Sequence, residues 1–180
     1  ASVYSVDLRE TFCYLVARRA RTGRTTALRL LVESAGRKGG RVVVVDTPGG
    51  ELKKCADQVG AQYIHDRKEL YAFWRDLLPE FSRRNQKKRP LMEAGASDEE
   101  LFRHMADEKP IYLIIHDLAA FLDDIYAPPA PKDGVGDMHG FVENVVEKGK
   151  LHQVYLFAGF DADKVSQYNG RRAFNAFVGY

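Results

Sequence analysis

The sequence has few cysteines, little net charge and no long apolar run. Cys13 and Cys55 are the two cysteines among 180 residues, and they form neither a C-x-x-C pair nor a disulfide framework. This usage indicates reduced, cytosolic cysteines. No apolar run approaches the roughly 20 residues of a membrane-spanning helix, and no signal-peptide pattern begins the sequence. The net charge of +2 gives no global field that would favour DNA or an anionic membrane.

Two kinds of chemical site are also absent from the sequence pattern. The five histidines lack ligand-like spacing with cysteine or carboxylate residues, which argues against a zinc site and favours surface or core roles. They are His65, His104, His116, His139 and His152. None of the serines lies in a G-x-S-x-G motif, so a hydrolytic Ser-His-Asp triad is not expected. We therefore predict no intrinsic metal site.

Short apolar runs alternate with longer segments of helical periodicity. This pattern is typical of an α/β fold with a predominantly parallel sheet and helices on both faces. With 45% hydrophobic residues, the chain has enough apolar material for one core, and we predict a single domain over 1–180, excised from a larger protein. Strands are predicted at 12–16, 41–45, 62–64, 111–115 and 154–158. Helices are predicted at 25–34, 51–59, 66–84, 98–106, 118–126, 141–148 and 162–167.

Two stretches have the composition of surface loops. Residues 82–96 carry five positive side chains ahead of a proline and a glycine, and residues 127–137 are rich in proline and glycine. Between them, Ser97 and Glu100 have the spacing of a capping box, which predicts a helix that begins after Ser97.

The segment 11–31 has the outline of a phosphate-binding loop. An apolar run leads into an arginine-rich turn, after which Gly23, Arg24, Thr25 and Thr26 open an amphipathic helix. In the G-x-x-x-x-G-K-[S/T] pattern, backbone N–H groups, a lysine and a hydroxyl surround phosphate and Mg²⁺ at the start of a helix. Gly23 and Thr25 fit this pattern. Arg24 replaces the lysine, and Arg18 replaces the first glycine.

A second apolar run ends in Ile114-Ile115-His116-Asp117. A carboxylate at the end of such a strand orients Mg²⁺ in nucleotide-binding sites of this kind, and Asp117 is the candidate here. Alternatively, Asp117 only caps the helix that follows. The sequence leaves both interpretations open.

Taken in order, these segments resemble the FtsK/SpoIIIE ATPases, in particular the last ATPase domain of the membrane-anchored motor of type VII secretion systems. The resemblance covers nearly the whole chain. It also includes Asp46 with Gly-Gly-Glu-Leu at 49–52, His116-Asp117-Leu118-Ala119-Ala120, and the segment 148–158, which resembles the family's sensor strand. It implies a RecA-like P-loop NTPase fold and a bacterial cytoplasmic domain of a membrane-anchored protein. It also implies that Thr25 and Asp117 would meet Mg²⁺ if ATP bound.

The departures from that family predict a damaged site. Leu118 stands where the family has the carboxylate that polarises the attacking water, and leucine cannot orient water by hydrogen bonding. Arg24 has a planar guanidinium where the family has the compact ammonium group of lysine. Arg18 adds a side chain where glycine would let the backbone approach the phosphates closely. Residues 157–161 lack the polar sensor groups. We therefore expect weak or no ATP and Mg²⁺ binding, no hydrolysis, and tolerance of a simple anion at 23–26.

The resemblance implies a role as a degenerate ATPase domain of a type VII translocase. Such a domain would contact other ATPase domains of the same translocase, in a hexameric ring in the full-length protein, and recognise small helical secreted substrates. One alternative is an ATP-binding and hydrolysing motor domain. A DNA translocase domain that binds duplex through Arg83–Arg89 is less favoured, because a run of charges at a helix end is usually solvated surface.

Overall fold

The computed structural model describes residues 12–18, 23–47 and 49–178. In this part of the chain, five parallel strands form one sheet in the order β1-β5-β4-β2-β3. The predicted parallel sheet is therefore confirmed. The strands are β1 (Cys13–Arg18), β2 (Arg41–Val45), β3 (Gln62–Ile64), β4 (Ile111–Ile115) and β5 (Val154–Asp161).

The apolar runs are continuous because the central strands are covered on both faces. In β2, Val42 and Val44 pack into one core cluster, while Val43 and Val45 pack into the other. All five residues of β4 are buried. The edge strand β1 is covered less completely, since its residues 14–16 are only half-buried.

Helices lie on both faces of the sheet. On one face, α1 (Arg24–Arg37) and α2 (Lys53–Val59) contribute Leu28, Val32 and Cys55 to a core cluster. The opposite face is covered by α3 (Arg67–Glu93), α5 (Leu118–Tyr126), α6 (His139–Lys148) and α8 (Arg172–Phe177). Two shorter helices, α4 (Asp98–His104) and α7 (Val165–Tyr168), complete the set, with 3-10 turns at Pro131–Asp133, Gly149–His152 and Ala162–Lys164.

The predicted loop at 82–96 is wrong for most of its length, because α3 continues through this segment to Glu93. Three of its five positive side chains, those of Arg83, Arg84 and Lys87, have acceptors within the chain. Arg84 is only 3% exposed, and its guanidinium donates to the backbone oxygens of His152 (2.6 Å) and Lys109 (2.8 Å). Lys87 pairs with Glu108 at 3.1 Å. The helix continues through this segment although Pro79 and Pro90 lie within it.

Other boundaries follow the sequence more closely. The capping box is confirmed, since the Glu100 N–H donates to Ser97 Oγ at 3.2 Å and the Ser97 N–H donates to the Glu100 carboxylate at 3.4 Å. The sequence pattern did not predict α8, although its aromatic residues Phe174 and Phe177 are buried. Among the described residues, no helix is both long and apolar enough to cross a membrane.

Candidate functional site at the carboxyl edge of the sheet

The predicted phosphate loop is described from Gly23 onward. Gly23 precedes α1 with φ of 81°, a left-handed conformation that favours glycine, and its oxygen accepts from the Ala27 N–H at 3.2 Å. Arg18 is the last residue of β1, in register with Asp161 of β5. Residues 19–22, which include Arg19 and Arg21, lie outside the described residues. Thr26 is exposed in the first turn of α1.

The Thr25 hydroxyl already has a partner in the chain itself. It donates to the Glu51 carboxylate with 2.9 Å between Oγ1 and Oε2, and it lies 3.4 Å from His116 Nε2. In an intact phosphate loop the hydroxyl at this position binds Mg²⁺. Here a carboxylate from the Gly-Gly-Glu-Leu segment lies beside it, at the start of α1.

Asp46 and His116 form a buried ion pair behind Glu51. They follow β2 and β4, which are adjacent parallel strands, so both side chains emerge at the same edge of the sheet. His116 Nδ1 lies 2.9 Å from Asp46 Oδ1, and its Nε2 lies 3.1 Å from Glu51 Oε2. Both ring nitrogens lie close to carboxylate oxygens, which favours the protonated form of the ring. The arrangement therefore stabilises a charged imidazolium.

Asp46 is fully buried and holds the loop after β2 in place. Its Oδ2 accepts from the N–H groups of Gly50 (3.0 Å) and Leu52 (2.9 Å) and from the Tyr63 hydroxyl (2.7 Å). Burial opposes ionisation, but the contacts with His116, Tyr63 and Leu52 outweigh it and lower the pKa of Asp46 to about 2. The Asp46 carboxylate in turn raises the pKa of His116 above its ordinary value, against the opposing effect of burial.

Asp117 lies where a helix cap is expected. Its Oδ1 accepts from the N–H groups of Ala119 (3.0 Å) and Ala120 (3.4 Å), so it is the N-cap of α5. The neighbouring Leu118 is fully buried in the core beneath the sheet. Within the described residues, no contact joins Asp117 to Thr25. The capping interpretation of Asp117 thus accounts for its observed contacts.

Arg24 lies across the end of β5. A Cβ built on Gly159 would come within 3.0 Å of the Arg24 Cδ atom and 2.5 Å of the His116 backbone oxygen. Gly159 therefore provides the room that lets the Arg24 side chain approach the strand. The charge of Arg24 also opposes protonation of His116, although it is a minor influence there.

A cavity of about 690 Å³ opens beside this network, at the carboxyl ends of β2 and β3. It has the size of a small-molecule site, but none of the residues predicted from the phosphate-loop pattern lines it. Its lining consists of Asp46, Gly49, Gly50, Lys53, Tyr63, His65 and Glu69.

One group at its rim has the composition of a metal site. The ligand atoms of His65, Asp66 and Glu69 lie within 4.8 Å of one another. These groups already form the cap of α3, since the Glu69 N–H donates to Asp66 at 2.8 Å and the His65 N–H donates to Glu69 at 3.1 Å. We assign this group to helix capping.

The sequence pattern did not indicate the contacts of Thr25 with Glu51 and His116. Asp46 and Glu51 entered only as parts of a family motif, and His116 was assigned to a surface or core role. A usable signal was present, because an Asp and a His that each follow a buried parallel strand emerge at one sheet edge. That β2 and β4 are neighbours in the sheet, however, could not be predicted from the sequence, because it depends on the order of the strands.

We expect the stability of the protein to decline with rising pH because of His116. A pKa raised by folding contributes stability that is complete below the unfolded value of about 6.5 and is lost as pH rises through the folded value. The measurement is urea unfolding of the wild type and His116→Gln between pH 5.5 and 8.5. The difference in unfolding free energy should shrink towards pH 8.5.

An exposed histidine provides the control for this pH series. His139→Gln should change the free energy of unfolding by less than His116→Gln, because the His139 side chain is 48% exposed. A constant difference between the wild type and His116→Gln over the whole series would contradict the charged assignment of His116.

Comparisons with known proteins place this geometry in context. No family model matches the sequence, and no curated protein matches it. Solved structures do match. The pCW3 conjugation coupling protein TcpA, solved with ATPγS, has a TM-score of 0.68 at 21% identity over 95% of this chain. ATPases 2 and 3 of EssC from Geobacillus thermodenitrificans give 0.63 at 16% identity over 94%. ATPases 2 and 3 of Thermomonospora curvata EccC, solved with a signal sequence peptide, give 0.69 at 12% identity over 96%.

The chain spans 48% of the matched TcpA chain, 31% of the EssC chain and 29% of the EccC chain. It therefore corresponds in length to a part of each. At these identities the likeness concerns the fold. The α/β architecture described above therefore resembles the fold of the ATPase domains in these structures.

Proposed function

We propose that this chain is a degenerate ATPase domain of a type VII secretion translocase, with weak or no nucleotide binding. The observation that carries the proposal is the hydrogen bond from the Thr25 hydroxyl to the Glu51 carboxylate, 2.9 Å long. A negatively charged group of the chain itself lies at the start of α1, where the helix dipole and N–H groups favour a phosphate. Bound ATP would have to displace or repel that group.

Glu51 is held well enough to compete with a phosphate. Its Oε2 accepts from Thr25 and lies 3.1 Å from the imidazolium of His116, which is in turn neutralised by the buried Asp46. The side chain of Glu51 is 57% exposed, so its carboxylate can move away without unfolding the site. Glu51 thus acts as a displaceable internal anion.

The environments of Asp117 and Leu118 support the same proposal. Leu118 is fully buried and directs an apolar side chain into the core, so it cannot polarise water. Asp117 has an N-capping role that explains its contacts without Mg²⁺. Neither residue supplies the proton acceptor that hydrolysis needs.

We expect steady-state ATP hydrolysis by this domain to remain at background. The measurement is phosphate release with Mg·ATP, against a control without protein. The reason is that Leu118 supplies no base and Arg24 replaces the phosphate-clamping lysine. Turnover that disappears in Asp117→Ala would overturn the proposal and establish an active enzyme.

A second candidate function is an ATP-binding motor domain, and one comparison favours it. TcpA, which shares this fold, was solved with ATPγS. The chain retains Gly23 and Thr25, and a neighbouring domain could supply missing groups. This candidate predicts micromolar affinity for Mg·ATP, whereas the degenerate assignment predicts weaker binding or none.

Binding of duplex DNA through the positive residues of α3 is not supported by their contacts. Arg83 pairs with Glu108 at 2.6 Å, Arg84 is buried against backbone oxygens, and Lys87 pairs with Asp107 at 2.6 Å. Opposite charges and burial therefore occupy most of the side chains that would meet phosphates.

The proposed partners follow from the longer relatives. EssC and EccC carry several ATPase domains, and the EccC structure contains a signal sequence peptide. We accordingly propose that residues 1–180 form one domain of a larger cytoplasmic assembly anchored to a membrane. Its roles would be contact with neighbouring ATPase domains, in a hexamer in the full-length protein, and recognition of small helical export substrates.

A further inference from the structure

The cavity of about 690 Å³ lies where two connections leave the sheet in opposite directions. After β2 the chain leads to α2, which packs on one face of the sheet, whereas after β3 it leads to α3, which packs on the other face. Because β2 and β3 are adjacent and parallel, both connections begin at the same edge. Such a divergence leaves a crevice at the carboxyl ends of the strands, which is where open α/β sheets bind ligands.

The ring of Tyr63 forms an aromatic wall of this cavity. Its hydroxyl donates to the Asp46 carboxylate at 2.7 Å, a contact that makes the ring richer in electrons. The ring already attracts one cation of the chain, since Lys53 Nζ lies 5.0 Å from its centroid. The ring of His65, which also lines the cavity, lies 6.1 Å from that of Tyr63 at an interplanar angle of 14°. These two rings suit a flat, positively charged group.

Glu69 gives the cavity a carboxylate that the chain does not neutralise with a lysine or arginine. Among the described residues, its ion-pair partner is His65, and both contacts, at 3.0 and 3.1 Å, use Oε2. The side chain is 42% exposed, so Oε1 is free to meet a ligand. The other charges in the lining have partners, because Asp46 pairs with His116 and Lys53 pairs with Asp57. The cavity therefore favours a cation.

We propose that this cavity binds an organic cation, an amidinium or guanidinium group, that stacks on Tyr63 and pairs with Glu69. The Lys53 side chain is 55% exposed and can leave the ring when the ligand enters. A small-molecule amidine and an arginine side chain of a partner polypeptide share this chemistry. The inference goes beyond the proposed function and does not require nucleotide binding, because Tyr63 and Glu69 lie outside the contacts of Thr25.

Benzamidine and benzamide provide the first test, because they have nearly the same shape and differ in charge. Each is titrated into the 180-residue chain at pH 8 and constant ionic strength, while the amide NMR signals of Gly50 and His65 are recorded. We expect saturable shifts with benzamidine and a dissociation constant at least tenfold higher for benzamide. Nα-acetylargininamide is titrated separately. Tighter binding of this compound than of benzamidine would indicate an arginine side chain as the natural ligand, and the reverse would indicate a small molecule.

Three variants test the assigned contacts with benzamidine. Glu69→Gln should raise the dissociation constant at least tenfold, whereas Lys53→Met should lower it at least threefold, because it removes the competing cation. Lys54→Met is the matched control, since Lys54 is an exposed lysine of the same helix outside the lining, and its dissociation constant should equal that of the wild type. Equal affinities for benzamidine and benzamide, an absence of saturable shifts, or weaker binding by Lys53→Met would overturn the proposal.

Discussion

Replacement of Asp46 by alanine is expected to destabilise the protein by about 3–5 kcal/mol, the range for breaking a buried ion pair from one side. The substitution removes the buried carboxylate that pairs with His116 and leaves only the exposed Glu51 carboxylate beside its ring. It also removes the acceptor of the Gly50 and Leu52 N–H groups and of the Tyr63 hydroxyl. The measurement is the free energy of urea unfolding near pH 6.

Two controls separate the ion pair from its surroundings. Tyr63→Phe removes one hydrogen bond to Asp46 and should cost about 1 kcal/mol. Asp57→Ala removes an exposed carboxylate that pairs with Lys53 on α2, and it should cost less than about 1 kcal/mol. A loss of stability in Asp46→Ala no larger than in Asp57→Ala would show that the buried pair does not hold the loop after β2.

Affinity for Mg·ATP should increase when the loop pattern is restored and increase again when the charge of Glu51 is removed. The chain as it stands is expected to give no calorimetric binding. Arg18→Gly with Arg24→Lys restores the loop pattern, but Glu51 still competes at Thr25. Adding Glu51→Gln removes the competing charge and should tighten binding at least tenfold over the double variant. A micromolar dissociation constant corresponds to about −8 kcal/mol.

A distant carboxylate provides the control for this series. Glu93→Gln, at the exposed end of α3, changes the net charge equally and should not alter the affinity of the double variant. Micromolar binding by the unmodified chain would favour the motor-domain alternative. Equal affinity of the double and triple variants would show that Glu51 does not act as an internal anion.

The sheet and the layered fold were predictable from the sequence because their signals are local. Five short apolar runs, separated by helical periodicity, indicate buried parallel strands whatever their order. The helix start at Ser97 also depends only on residues three apart. The loop predicted at 82–96 is wrong because positive side chains there do not have to be exposed to solvent. The backbone oxygens that accept hydrogen bonds from the buried Arg84 lie 25 and 68 residues away in the sequence.

The sequence by itself determined that Gly23 and Thr25 lie at the start of a helix that follows a strand. It also determined that Leu118 follows Asp117 after an apolar strand. Only the tertiary structure decided what lies beside the Thr25 hydroxyl. Pairing of β2 with β4 brings Asp46 and His116 to one edge of the sheet, and their contact places Glu51 against α1. Sequence patterns give only the spacing of residues along the chain. The position of the Glu51 carboxylate, which competes with phosphate, depends on the order of the strands and on the buried contact between Asp46 and His116.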